Sequence, residues 1–335
     1  MKTYIQHLIE GRTLTRDDAH EALTLIMNGE ATPAQIAAFL TALRMRGETP
    51  EIVAGAAQAM REAFTPVTHI HPEAVDTCGT GGDGLNTFNI STTAAFVTAG
   101  AGVPVAKHGN RNVSSLSGSA DVLTALGVNI TLTPDQMGDC LKEVGLAFLF
   151  APSLHPAMKH AIGPRREIGI RTLFNVLGPI SNPASTRRGV LGVFSEEMVG
   201  LVADALADLE THHLLVVHGK DGLDEISNTA KTTVGEVRDG KVTRYEISPE
   251  DFGLPLRDLQ ELKGGAPEAN AAITREILEG APGAKREIVL LNAGAAIYAG
   301  GKAESMAEGI QKAIASIDSG AAKQTLDALI SFTNA

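Results

Sequence analysis

Tryptophan is absent from these 335 residues, tyrosine occurs three times, and aromatics make up 4% of the chain. Single-stranded nucleic acid is gripped on aromatic stacking platforms, so that class of binder is disfavoured. The basic excess that phosphate-backbone binders need is also missing, because the formal net charge is −11. Cysteine is confined to Cys78 and Cys140. Their number and spacing support neither a disulfide framework nor a zinc site, and they point to a reducing cytoplasm. No apolar run reaches membrane-spanning length, and no basic stretch leading into an apolar signal segment opens the chain. What remains is an ordinary globular composition, 44% hydrophobic and 20% charged, on a length that fits two domains better than one.

The first 65 or so residues read as helices alone. Thr15-Arg16-Asp17-Asp18 is a capping box, and its helix stops at Asn28-Gly29. Thr32-Pro33-Ala34-Gln35 repeats that logic, with Ile36, Phe39, Leu40 and Leu43 following at helical spacing. Gly47 ends this helix and Thr49-Pro50-Glu51 starts another, so short loops join antiparallel neighbours. From about residue 74 short apolar runs alternate with helices: 74–76, 103–106, 146–150 and 213–217. Continuous apolar runs fit strands buried on both faces of a mostly parallel sheet. Residues 165–183, bounded by Gly163-Pro164 and Gly178-Pro179, read as an interrupted crossing or hinge. A hairpin turning at Asp239-Gly240 is expected on a sheet edge over 231–247, and 266–332 is helical again. The expected fold class is therefore α/β: a helical N-terminal domain (1–70, with a contribution from about 165–185) and a larger α/β domain (71–335) with a mostly parallel central sheet flanked by helices.

Chemistry concentrates where strands give way to helices. Cys78-Gly79-Thr80-Gly81-Gly82-Asp83-Gly84 runs into Asn89-Ile90-Ser91-Thr92-Thr93. Glycines allow close backbone approach, and the unpaired first amides of a helix favour an anion, most often phosphate. The pattern is neither a nucleotide P-loop nor a dinucleotide fingerprint. A second junction, Lys107-His108-Gly109-Asn110-Arg111-Asn112-Val113-Ser114-Ser115 with Ser117-Gly118-Ser119 beyond it, stands about thirty residues on. Two such junctions predict a ligand with phosphates at two places. Asp224-Glu225, in the turn after the 213–217 run, is a candidate Mg²⁺ pair, with the Ser91 hydroxyl as a third donor and Asp76 and Asp83 as rival carboxylates. Cys78 has no dedicated base beside it and is read as a small strand-end residue rather than a nucleophile.

The stretches Gly79–Asp83, Asn89–Thr92, Lys107–Arg111 and Leu173-Phe174-Asn175-Val176-Leu177-Gly178-Pro179, with Phe39-Leu40-Thr41-Ala42-Leu43-Arg44-Met45-Arg46-Gly47-Glu48-Thr49-Pro50, resemble the anthranilate phosphoribosyltransferase family over nearly the whole chain. The chain departs from that pattern at Asn112, where the family more often has a small residue. The resemblance implies a fold of the nucleoside phosphorylase/phosphoribosyltransferase type. It also implies transfer of a phosphoribosyl group from 5-phosphoribosyl-1-pyrophosphate to the amine of anthranilate, in tryptophan biosynthesis. By the family pattern the donor would meet Gly79, Gly82, Asp83, Thr87, Asn89, Ile90, Ser91, Thr92, Lys107, His108, Gly109, Asn110, Arg111, Asn112, Val113, Ser114, Ser115 and Ser119, with pyrophosphate at the first loop. Ser91, Asp224 and Glu225 match the positions that hold Mg²⁺, and Gly79, Asn110 and Arg165 those that hold anthranilate.

Anthranilate's amine is already a neutral nucleophile, so no strong base is required before attack. His108 and anthranilate's own carboxylate are the candidate proton acceptors, and His155 is placed at the aromatic's approach. A guanidinium suits a carboxylate bidentately, and the family pattern puts that role at Arg165 rather than at its neighbour Arg166. The resemblance further implies a homodimer formed through the helical domain. The rivals are a pyrimidine nucleoside phosphorylase, whose lysine loop differs, and a non-catalytic relative of the same fold that binds nucleic acid.

Overall fold

The computed structural model describes residues 1–111 and 116–335. Four helices come first: α1 (Lys2–Ile9), α2 (Arg16–Met27), α3 (Pro33–Arg46) and α4 (Pro50–Glu62). Their starts obey local chemistry. The hydroxyls of Thr15, Thr32 and Thr49 accept the amides of Asp18, Gln35 and Ile52. Pro33 and Pro50 take first helical positions, where the missing N–H has no intrahelical partner to lose. α2 packs on α4 and α1 on α3, burying Leu23, Ile26, Phe39, Leu40 and Leu43.

The α/β part runs β1 (Val75–Gly79), α5 (Ile90–Gly100), β2 (Val105–Gly109), α6 (Ser119–Leu126), α7 (Pro134–Val144) and β3 (Leu146–Phe150). The chain then crosses back through α8 (Ala151–Leu154), α9 (Lys159–Ile168) and α10 (Phe174–Leu177) before β4 (Arg188–Gly192), α11 (Glu196–Ala207) and β5 (His213–Gly219). The hairpin β6 (Thr232–Arg238) and β7 (Lys241–Ile247) follows, and α12 (Pro267–Leu278), α13 (Ala284–Ala299), α14 (Met306–Asp318) and α15 (Ala321–Thr333) close the chain. The seven strands lie in the order β3-β2-β1-β4-β5-β6-β7. They are parallel from β3 to β5 and antiparallel across the hairpin. Alternation along the strands divides the interior. Val75, Val105, Val190 and Leu215 face α5, α13 and α14. Leu191, Val216 and Val237 face α11, the first four helices and residues 173–180. The crossing segment thus shares the core of the helical layer.

The hairpin forms on the sheet edge with Asp239 and Gly240 at φ 48° and 76°, the paired positive values that a two-residue turn of this hand requires. Gly163-Pro164, by contrast, does not interrupt the chain. α9 runs through Pro164, whose ring is buried beside Ala161 on the side that meets α3, and that burial outweighs one lost amide bond. Strand β4 is not anticipated at all. Its glycines weaken the pattern, yet they are what the site requires: a Cβ on Gly189 would meet the backbone of Asp76, and one on Gly192 the backbone of Asp224.

Candidate functional site

Four of the five parallel strands end in glycine, at Gly79, Gly109, Gly192 and Gly219. Strand order reverses between β1 and β4, and ligands of open α/β sheets settle outside the strand ends at such a switch point. The glycine loop leaves β1 there, and the turn after β5 folds back onto it. A side chain on Gly79 would come within 2.5 Å of Asp224 Oδ2, so glycine is what admits the carboxylate. The amide of Gly81 donates to Asp224 Oδ2 at 2.7 Å. The amide of Ser91, in the first turn of α5, donates to Glu225 Oε1 at 3.1 Å. Lys107 is 3% exposed and lies beneath them, donating to the carbonyl of Thr77 and to Ser91 Oγ at 3.4 Å. Asp83 accepts the Leu85 amide at 3.1 Å, and its charge also reaches Asp224.

The turn that carries the two acids is pinned on both sides. Upstream, Asp221 accepts the Leu223 amide at 3.2 Å and the hydroxyls of Ser227, at 2.5 Å, and Thr229. Downstream, Asn292 of α13 holds the Ile226 backbone with both halves of its amide, accepting at 3.0 Å and donating at 2.9 Å. Burial raises the carboxyls of Asp224 and Glu225 above their usual range, and repulsion from Asp83 and from Asp224, respectively, adds to it. The charge of Lys107 opposes this shift at Glu225.

The second loop is tied to the first through Asn89, which donates to the Ser117 carbonyl at 3.1 Å and accepts from Asn270 at 2.9 Å. Ser119 Oγ donates to the Asn110 carbonyl at 3.2 Å. Arg111 is engaged with Asp121 at 3.0 Å, so its fork of donors has a local partner. Asn112, Val113, Ser114 and Ser115 lie outside the described residues. Ile90 and Thr92 are 1% exposed with side chains in the core, which leaves their backbone alone to meet a ligand. Thr87 pairs by its backbone with Lys263. Arg171, which the sequence did not single out, reaches from the crossing segment to the Gly82 carbonyl at 2.6 Å and lies over the Phe194 ring at 4.5 Å. A lone arginine between Gly169 and Thr172 offers no signal of that reach.

On the opposite pleat of β1, Asp76 is buried with both oxygens occupied, by the His108 amide at 3.1 Å and the Asn182 side chain at 2.7 Å. Cys78 shares that pleat, and burial drives its thiol far above the usual range, which makes it inert. Asp76, Cys78 and His108 bring ligand atoms within 4.8 Å of one another. An oxygen–sulfur–nitrogen set with both carboxylate oxygens already bonded does not suit Mg²⁺. Asp224, Glu225 and the Ser91 hydroxyl are oxygen donors alone, two of them carboxylates with excess negative charge, and this set fits a hard dication. Of the rival carboxylates, Asp76 is therefore set aside and Asp83 stays beside the pair.

His108 Nε2 faces His155 Nε2 at 3.2 Å, and Phe64 meets His155 edge-on at 6.0 Å. Burial, then the neighbouring His155 and Lys107, push His108 down to about 3, and burial pushes His155 down to about 4. Both rings are neutral at pH 7. Arg165 is half-buried, its guanidinium 5.2 Å from the Phe174 ring centroid, and has no carboxylate partner among the described residues, whereas Arg166 is exposed. No hydrogen bond among the described residues joins Arg165 to Asn110 or Gly79.

Residues 2–64 match the helical bundle domain of the glycosyl transferase family and residues 71–323 match its a/b domain. The chain belongs to that family. It is 52% identical over 334 residues to anthranilate phosphoribosyltransferase of Symbiobacterium thermophilum, covering 100% of this chain and 98% of the relative. The crystal structure of anthranilate phosphoribosyltransferase from Thermus thermophilus superposes with a TM-score of 0.94 at 44% identity, covering 99% of both chains. The Saccharomyces cerevisiae enzyme in complex with PRPP and Mg gives 0.90 at 31% identity, covering 99% of this chain and 97% of that one. Within the glycosyl transferases, the chain is a member of the anthranilate phosphoribosyltransferase family.

Proposed function

We infer that the chain transfers the phosphoribosyl group of 5-phosphoribosyl-1-pyrophosphate to the amine of anthranilate, releasing pyrophosphate, as a step of tryptophan biosynthesis. The observation that carries this reading is the meeting of Asp224 and Glu225 with the glycine loop and the start of α5 at the β1/β4 switch point. A relative holds PRPP and Mg together, and the same yeast enzyme is known with 4-fluoroanthranilate. Asp224, Glu225 and Ser91 would hold Mg²⁺, which when bound supplies positive charge against the departing pyrophosphate. The amides and hydroxyls of residues 79–92, 107–111 and 119 take the phosphates and align the sugar, so positioning and electrostatics supply most of the catalysis.

Arg165 is proposed to take anthranilate's carboxylate, since it is a partly desolvated guanidinium without a carboxylate partner among the described residues. Asn110 and Gly79 complete that proposal. With its ring held at about 3, His108 is a feeble base. The acceptor's own carboxylate is then the better recipient of the amine proton, and His108 a hydrogen-bonding wall. Residues 1–70 with the 165–185 crossing are proposed as one domain and 71–335 as the other, closing over the substrates to exclude water. A homodimer through the helical domain is part of the proposal. Ile9 and Met45, exposed at 69% and 82% on helices that pack together, are apolar surface suited to it. The cytoplasm is its proposed compartment.

The test is loss of anthranilate fluorescence on mixing the protein with anthranilate, phosphoribosyl pyrophosphate and Mg²⁺. Loss that requires all three supports the reading, and no metal-dependent loss overturns it.

A further inference from the structure

The amides expected to cradle phosphate already have an anion. Gly81 N–H points at Asp224 Oδ2 at 2.7 Å and Ser91 N–H at Glu225 Oε1 at 3.1 Å. Both distances are ordinary for full hydrogen bonds, and one N–H serves one well-placed acceptor. The two acids do not arrive there by chance. Glycine at 79 and 192 removes the side chains that would push Asp224 away, while Asp221 and Asn292 lock the turn on either side. The acids are distant in sequence, 143 and 134 residues along the chain from the amides they accept.

We propose that Asp224 and Glu225 have a second role as an internal stand-in for phosphate, occupying the Gly81 and Ser91 amides until a divalent cation draws them off and frees those donors for pyrophosphate. This rests on the reading above that the first loop takes pyrophosphate and the acids take the metal. The exchange has a physical rationale. Two half-buried carboxylates face one ammonium among the described residues, Lys107, so a dication is a stronger partner for them than two neutral amides. An incoming pyrophosphate without a cation meets both repulsion and filled donors. With one, it meets vacant amides at a helix N-terminus. Cation and pyrophosphate thereby favour each other's binding through atoms of the protein, beyond any pairing between the two in solution.

Calorimetric titration of inorganic pyrophosphate into metal-free protein separates occupancy from charge. The Asp224→Asn/Glu225→Gln and Asp224→Ala/Glu225→Ala pairs both remove two charges, but the amide side chains retain acceptor oxygens and alanine does not. The alanine pair is expected to bind pyrophosphate about tenfold more tightly than the amide pair, with the unaltered protein weakest. Equal affinity of the two pairs would leave charge alone as the cause and overturn the proposal. If the alanine pair does not fold by circular dichroism, Asp224→Ala against Asp224→Asn asks the same of Gly81, with about threefold expected and equality again contradicting it. Repeating the titrations with Mg²⁺ tests the underlying reading separately. Magnesium should tighten pyrophosphate binding far more in the unaltered protein than in either pair, and an equal gain in all three would mean the metal sits elsewhere.

Discussion

Asn292→Ala probes how far the pair proposed to hold the metal, Asp224 and Glu225, depends on its scaffold. Asn292 is buried on α13, with its oxygen on the Ile226 amide at 3.0 Å and its nitrogen on the Ile226 carbonyl at 2.9 Å, one residue beyond Glu225. Its other bond, to the Ile288 carbonyl, stays within the helix. Truncation leaves a buried backbone donor and acceptor unpaired, each costing about 1–3 kcal/mol. A water filling the vacated volume recovers part of this, so a net loss of about 2–4 kcal/mol is expected in urea unfolding. The freed turn lets Glu225 swing, and the Mg²⁺ concentration for half-maximal rate should rise about tenfold, equivalent to ~1.4 kcal/mol. At saturating Mg²⁺ the rate should return to within about threefold of the unaltered protein, because no group that meets substrate is lost. An unchanged Mg²⁺ dependence, whatever the stability, would refute the idea that this clamp positions the acids.

Arg171→Ala removes the bond to the Gly82 carbonyl and the stacking on Phe194. Because the loop loses its tie to the crossing segment, KM for phosphoribosyl pyrophosphate should rise about tenfold, with urea stability changed by less than ~1 kcal/mol. Arg165→Ala should raise KM for anthranilate at least ~tenfold while leaving that for the donor nearly unchanged, and equal loss for both substrates would assign it a structural role. Glu236 accepts from His213 and Tyr245, each at 2.7 Å, and from Tyr298 at 2.9 Å, which holds its carboxyl down at about 2 from an ordinary 4.5, His213 contributing most. A depressed acid stabilises the fold above its unfolded pKa and loses that contribution as pH falls through the folded value. Glu236→Gln should therefore lower Tm at pH 7, with a deficit that narrows below about pH 4.5 and closes towards pH 2.

The parts legible in sequence are those decided locally. Thr15, Thr32 and Thr49 cap their helices with groups three residues away, and Asp239-Gly240 makes its own turn. The glycine loop, the lysine loop and the Asp224-Glu225 pair are recognisable for the same reason, each being a short run at the C-terminal end of a strand. The hidden parts are long-range. β4 looks like a poor strand because Gly189 and Gly192 exist to admit backbone from elsewhere. Asn292 acts on Ile226 across 66 residues, and Arg171 on Gly82 across 89. The weak basicity of His108 comes from burial and from His155, and neither is visible in the run Lys107-His108-Gly109. Pro164 shows the converse, a strong local breaker overruled by packing.

Asp224 and Glu225, brought to the glycine loop at the β1/β4 switch point, are proposed to hold the metal on which phosphoribosyl transfer depends. The most direct test of that assignment is the initial rate of anthranilate consumption as a function of Mg²⁺ for the unaltered protein and for Asp224→Asn/Glu225→Gln. The variant is expected to lose at least ~100-fold in rate at limiting Mg²⁺, since two carboxylate ligands are replaced by neutral amides. Wild-type activity in that variant at limiting Mg²⁺ would contradict it.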